Sequence, residues 1–255
     1  RDRPCPPGLV LVIAAGNDGD KPEGATADLF AAIPASEFPN NVIIAGSVGI
    51  ELPTGETDIN RLSEFSNRAG NSADNYLAAL GLWNRTFDHE GTPYYYSGTS
   101  FAAPTVSGAV ALLAQAFPKL TGAQIVDILF SSADDLGAGG TDAQFGRGRP
   151  NINRAFQPIG STSLAGSDVG VSTSLNGELP QAAGDAAAQG AMGAVILDGY
   201  SRAYALDLVK SLDPELADEL SAGLMGLGEA RVGRRDTVVV DHDDLVGIRH
   251  LDDVR

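Results

Sequence analysis

Two short segments carry side chains able to do chemistry. The first is Tyr96-Ser97-Gly98-Thr99-Ser100-Phe101-Ala102-Ala103-Pro104, which runs into an apolar, Gly/Ala-rich stretch ending at Phe117. Val106, Ala109, Val110, Leu113 and Phe117 recur at helical spacing, which puts Ser100 at or near a helix start. First-turn N–H groups and the positive end of the helix dipole stabilise negative charge formed beside that hydroxyl. Gly98 lets the backbone approach a ligand closely. Ala102 and Ala103 keep the first turn thin, and Pro104 falls in or just past it, where a missing N–H costs least. A serine before an apolar run is ordinarily an N-cap. The residue types alone leave cap and nucleophile both open. The second segment is Ala14-Ala15-Gly16-Asn17, at the end of the apolar run Leu9 to Ala15. In isolation Asn17, followed by Asp18-Gly19, is a turn asparagine.

These segments need a frame. Leu9 to Ala15 and Val42 to Val48 are short, β-branched runs that read as buried strands, the first of them parallel. Between them, Lys21 to Pro39 reads as a loop with a short helical piece over Ala27 to Ala32. Ile50 to Ile59 reads as a turn, and Leu62 to Asn67 alternates as a half-buried strand does. Leu82 to Tyr95 reads as a connecting loop. Its aromatics, Trp83 and Tyr94 to Tyr96, either flank a cleft or pack the edge of the strand leading to Ser100. Pro118 stops the first helix. Thr121, with Gln124 three residues on, caps a second whose apolar face is Ile125, Ile128 and Leu129. Strands interleaved with helices imply an α/β fold with a mainly parallel sheet.

The string G-T-S-x-A-A-P at Gly98 to Pro104, followed by a helix, resembles the nucleophile segment of subtilisin-like serine proteases (peptidase family S8). It is not the hydrolase nucleophile elbow, because Ala102 stands where G-x-S-x-G needs its second glycine. Thr105 replaces the histidine familiar in the family, at a position that is not catalytic. Ala14-Ala15-Gly16-Asn17 resembles the family's oxyanion segment. Leu62 to Asn67 resembles its F-S-N segment, and Tyr76 to Gly81 its Ala-Pro-Gly segment, with Leu80 in place of proline. Phe145 to Asn153 resembles its closing Y-G-x-G-x-x-N segment. The resemblance covers Leu9 to Ala155. It implies a serine endopeptidase with Ser100 as nucleophile, and Asn17 with the Ser100 N–H as oxyanion hole. It also implies substrate-binding backbone at Ala14, Ala15, Gly16, Gly98 and Thr99. The implied architecture is a partial three-layer subtilisin-like fold acting on protein or peptide substrates, with no cofactor.

The family's order along the chain is Asp, His, oxyanion Asn, Ser. Only eight residues precede Leu9, and no H-G-T-H-like string occurs. The chain therefore resembles the C-terminal half of the catalytic domain, and the resemblance places Asp and His on an upstream protease segment. The chain by itself is then expected to be inactive. Three histidines are present. His89, between Asp88 and Glu90, reads as a solvated loop residue. His242, in Asp241-His242-Asp243-Asp244, reads as part of an acidic turn, and His250 offers nothing specific. No cluster argues for a calcium or other metal site.

The 255 residues carry a formal net charge of −16, which argues against nucleic acid or an anionic membrane as partner. A single cysteine, Cys5, excludes an internal disulfide framework. No apolar run is long enough for a membrane-spanning helix, and Arg1-Asp2-Arg3-Pro4 opens without a signal-peptide core. The expected division is a peptidase part at 1–157, a Ser/Gly/Ala-rich linker at 158–193 and a small, β-containing acidic extension at 194–255. Within the extension, two apolar runs flank Asp198-Gly199, a hairpin signal. Protease closure, linker and "LDGYSRAYALDL" in that order resemble autotransporter subtilases of Gram-negative bacteria. A secreted or cell-surface protein is implied, at the outer membrane if an autotransporter. Two other readings fit the same residues. One is a non-catalytic surface passenger built on the protease fold. The other is an esterase using Ser100 with a different base.

Overall fold

A computed structural model describes residues 8–174 and 193–207. Its centre is a sheet of four strands, β1 (Leu11–Ala14), β2 (Val42–Glu51), β3 (Thr57–Leu62) and β4 (Tyr76–Leu80). Strands β1, β2 and β4 are mutually parallel, and β3 returns antiparallel along β2. The expected parallel pairing of the two apolar runs is thus observed, with Leu11 opposite Val42 and Ala14 opposite Ala45.

Alternation along the strands divides the core into two faces. Ile43, Ala45, Leu77 and Ala79 face one layer, and Val42, Ile44, Tyr76 and Ala78 face the other. On the first face lie helices α2 (Thr99–Ala116) and α3 (Gly122–Ser131), contributing Ala102, Val106, Ala109, Leu113, Ile125, Ile128 and Leu129. On the second lies α1 (Leu29–Glu37), contributing Ala31 and Ala35. The result is a three-layer α/β arrangement, as expected. Helix α3 starts with the expected capping box: Thr121 Oγ1 accepts from Gln124 N (3.2 Å) and Gln124 Oε1 accepts from Thr121 N (2.9 Å).

Four local expectations need correction. The Lys21–Pro39 segment holds a 3-10 turn and a full helix, α1, started by Asp28 accepting from Phe30 N (2.7 Å). Ile50 to Ile59 is no simple turn, because β2 runs on to Glu51 and β3 begins at Thr57. Leu62 is the last residue of β3, and Ser63 to Asn67 form a turn, not a strand. Ser63 Oγ donates to Gly49 O (2.8 Å), while Ser66 Oγ accepts from Ser47 N (2.9 Å) and donates to Asn67 O (3.0 Å). Such side-chain bonds give the backbone an alternative to a ladder. Leu82 to Tyr95 folds into a hairpin, β5 (Asn84–Phe87) and β6 (Pro93–Tyr96). Its tip is closed by Asp88 Oδ1, which accepts from Glu90 N and Thr92 N.

The edge of β4 is covered by the closing segment, where Ala78 N donates to Gly148 O and Arg147 N to Tyr76 O. Asp134 anchors that segment. It accepts from Asn151 Nδ2 (2.8 Å), Arg154 (2.9 Å) and Arg149 (3.2 Å). A short helix α4 (Ile152–Ala155) follows. Beyond it, β7 (Ser163–Leu164), β8 (Gly193–Leu197) and β9 (Ala203–Asp207) form a separate antiparallel sheet, with the expected hairpin turning at Asp198 to Arg202. Cys5, His242, His250 and the acidic segment 208–255 lie outside the described residues.

Candidate active site

Parallel strands β1 and β4 deliver Gly16 and Gly81 at their carboxyl ends, the side on which open α/β sheets bind ligands. The chain leaves β1 through Ala15, whose N–H donates to Ala45 O (2.9 Å) and whose carbonyl accepts from Asp28 N (2.8 Å). Gly16 then adopts φ 109°, a conformation that favours glycine. A β-carbon there would lie 2.6 Å from Asn67 Nδ2. The turn presents Asn17 at the surface, while Ala15 is fully buried.

The second segment arrives from the hairpin. Gly98 N donates to Gly81 O (2.9 Å), and Gly98 stands as the N-cap of α2. Ser100 is therefore the second residue of the helix, at its start as expected, and it is solvent-exposed. Its N–H belongs to the first turn, where no intrahelical acceptor exists. The N–H of Phe101 is taken by Gly98 O (3.0 Å). Pro104 has no N–H, so the helical bond it would send to Ser100 O is missing.

The two segments, 82 residues apart, meet through Thr99. Asn17 Oδ1 accepts from Thr99 N (2.9 Å) and from Thr99 Oγ1 (3.0 Å). With its carbonyl end committed twice, the Asn17 amide has its Nδ2 group left to donate. The side chain lies alongside Gly98, where a β-carbon would be 3.7 Å from Asn17 Nδ2. Asn17, Gly98, Thr99 and Ser100 thus share one spot, with Ala14, Ala15 and Gly16 leading into it from β1. Chemically, the spot offers an exposed hydroxyl beside a side-chain amide and a first-turn N–H. Two such donors stabilise charge on a carbonyl oxygen.

Sequence reasoning missed what holds Asn17. Buried Asn67 grips the turn from both sides: its N–H donates to Gly16 O (3.0 Å) and its Oδ1 accepts from Asp18 N (2.7 Å). Asn67 O in turn accepts from Tyr76 Oη (2.7 Å). Burial raises the Tyr76 pKa, so the phenol remains a donor. A β-carbon on Gly46 would fall 1.6 Å from Tyr76 Oη, so the glycine makes room for the ring. The available signal was the F-S-N segment itself, but no spacing rule links it to Asp18.

His89 lies at the hairpin tip, paired with Glu90 (3.7 Å) and 89% exposed. Four rungs of the ladder separate it from the hairpin base, on the order of 10 Å along the strands. It does not join Ser100. The aromatics are exposed, although Tyr96 stacks on Phe101 (centroids 6.1 Å) and Tyr94 meets Tyr96 edge-on (6.1 Å). Among the described residues, no group of three or more His, Cys, Asp or Glu could hold a metal ion. No described helix is long and apolar enough to cross a membrane.

Comparison with known proteins gives the same frame. The subtilase family (peptidase S8) profile matches residues 6–148. The chain is 34% identical over 153 residues to serotype-specific antigen 1 of Mannheimia haemolytica, spanning 57% of this chain and 15% of that protein. It is 33% identical over 156 residues to subtilisin of Bacillus pumilus, spanning 61% and 50%. It is 25% identical over 155 residues to the Neisserial autotransporter lipoprotein NalP of Neisseria meningitidis serogroup B, spanning 58% and 14%. The match thus spans half or less of each of these relatives.

Proposed function

Since this chain belongs to the subtilase family, we propose that it carries the nucleophile and oxyanion half of a serine-type endopeptidase site. Ser100 Oγ attacks the carbonyl carbon of a peptide bond as its proton passes to an imidazole. The carbonyl oxygen, now negative, is held by Asn17 Nδ2 and the Ser100 N–H. Collapse expels the amine, protonated by the same imidazole, and leaves an acyl-enzyme on Ser100 that water hydrolyses. Ala14 to Gly16 and Gly98 to Thr99 edge the substrate. The observation that carries this reading is the double hold of Thr99 on Asn17, which fixes an otherwise mobile amide against the residue that precedes Ser100.

The imidazole and its orienting carboxylate come from an upstream segment. Two features support a missing half. Strand β1 pairs only with β2 among the described strands, leaving one edge of a parallel sheet open. Beside that edge, Leu11, Leu29, Phe30 and Ile33 are exposed, lining a groove of about 560 Å³. The relatives support secretion, and NalP in particular an autotransporter route to the bacterial surface.

Turnover of a fluorogenic peptide tests the reading. The chain alone is expected to be silent, and the native protein active and silenced by Ser100→Ala. Turnover by the chain alone, abolished by Ser100→Ala, would place the base within this chain and overturn the division. A native protein indifferent to Ser100→Ala would overturn the proposal outright.

A further inference from the structure

Among the described residues, the most completely buried charges lie at the other end of α2 from Ser100, in the turn of the sheet β7–β8–β9. Arg202 is 2% exposed and Asp198 6%. Burying such a pair is costly unless every hydrogen-bonding position is used. Here nearly all are. Arg202 Nε donates to Asp198 Oδ2 (2.9 Å), and its Nη2 lies 2.7 Å from the same oxygen as an ion pair. Its Nη1 donates to Ala155 O (2.6 Å) and its Nη2 to Gln157 O (2.8 Å), the carbonyls at the end of α4. Asp198 also accepts from the N–H groups of Ile159, Tyr200 and Arg202.

Three rings surround the guanidinium: Phe117 at 5.0 Å, Tyr204 at 5.5 Å and Tyr200 at 5.6 Å. Aromatic faces attract cations, most strongly where water is excluded. Phe117 is the C-cap of α2, and Tyr200 Oη reaches across to Asp127 Oδ2 on α3 (2.7 Å). Ser201 is held at φ 59°, an uncommon conformation for a non-glycine residue, in the turn that brings Arg202 inward.

We propose that residues 193–207, with Ser163–Leu164, form an intramolecular clamp pinned by Arg202, whose receptor is complete only when α2, α3 and α4 are already packed together. Asp198, Tyr200 and Tyr204 of the extension itself balance and flank the guanidinium. The core supplies the rest: Phe117 at the end of α2 closes the third side, the Ala155 and Gln157 carbonyls at the end of α4 accept its remaining N–H groups, and Asp127 of α3 holds Tyr200 in place. The extension therefore docks onto a finished core and cannot find its place on an unfinished one. The folded unit reaches Asp207, beyond the closure at Ala155.

Native-state hydrogen exchange on the native protein, wild type and Arg202→Met, tests this. Met keeps most of the stem but removes the charge and the fork. In the wild type, amides of Ala194 to Leu197 and Ala203 to Leu206 are expected to be protected and to open together, more readily than those of β2 and α3. In Arg202→Met their protection should fall on the order of 10²–10⁴-fold, as for a broken buried pair, while Ile43 to Ala45 and Ile125 to Leu129 keep theirs. Arg202→Lys, which keeps the charge without the fork, should lose protection at the same amides. Wild-type strands exchanging like free peptide would overturn the proposal. So would wild-type protection in Arg202→Met, or an equal loss throughout the core.

Discussion

Thr99 gives Asn17 two hydrogen bonds from two chemical groups, and substitution separates them. Thr99→Val keeps the backbone donor and the branched shape but loses the hydroxyl. The amide should then wander, and acylation of the native protein should slow roughly tenfold, the worth of one net hydrogen bond. Thr99→Ser should restore most of the rate. On the proposed mechanism the loss should appear in kcat with KM little changed, since there the bond matters most when the oxyanion forms. Asn17→Leu removes the donor itself. For subtilisin's own oxyanion asparagine that loss is about 10²–10³ in kcat, and the same range, taken over from that relative, is expected here. Ser100, Asn17 and Thr99 could be proposed from the sequence because the chemistry proposed for them needs those residue types in short, fixed strings. Asn67 was not. Its bonds to Gly16 and Asp18 span about fifty residues, and only the fold brings them together. Arg202 was opaque for a similar reason: an arginine between Ser201 and Ala203 reads as exposed, and only the cage of rings and carbonyls makes it a core residue.

At the scale of elements, α2 links the site to the core. Its buried stripe, Ala102, Val106, Ala109 and Leu113, packs against β1, β2 and β4. Leu113 is fully buried, and Leu113→Ala should cost about 2–5 kcal/mol, measured by denaturant unfolding with the m-value unchanged. The closing segment depends on Asp134. The Asn151 amide holds this carboxyl below its usual range, against the opposing effect of burial, with help from Arg149 and Arg154. A folded-state pKa below the unfolded one stabilises the fold above the unfolded value of about 3.9. That contribution is lost as pH falls through the folded value. Asp134→Asn should therefore lower the melting temperature at pH 7 and make little difference near pH 2. Equal losses at both pH values would mean that packing, not charge, is what Asp134 supplies. Strands β1 and β2, helix α2 and the capped helix α3 followed from periodicity and caps, whereas β3, the β5–β6 hairpin and the full length of α1 did not. Nor did the Ser63–Asn67 turn, since the alternation of Leu62 to Asn67 mimics a strand. What decides the matter is three serine hydroxyls bonded within the 47–67 region.

For the whole molecule, the open edge of β1 has a physical consequence. Phe30 is 79% exposed and Leu29 71%, beside Leu11 and Ile33. Parallel sheets are ordinarily covered, and an uncovered edge invites association. The chain alone should bind an apolar dye such as ANS and self-associate as its concentration rises. The native protein should do neither at this face. Phe30→Asp should weaken both effects in the isolated chain, as read by dye fluorescence and light scattering. An isolated chain that stays monomeric and dye-silent would show that the face is already covered.

The most direct test of the central claim is fluorophosphonate labelling of the native protein followed by peptide mapping. The probe reacts with a serine only where a base and an oxyanion hole are assembled around it. A single adduct on Ser100 is expected, lost in Ser100→Ala and strongly slowed in Asn17→Leu. An adduct on another serine, or none in a folded native protein, would contradict the claim.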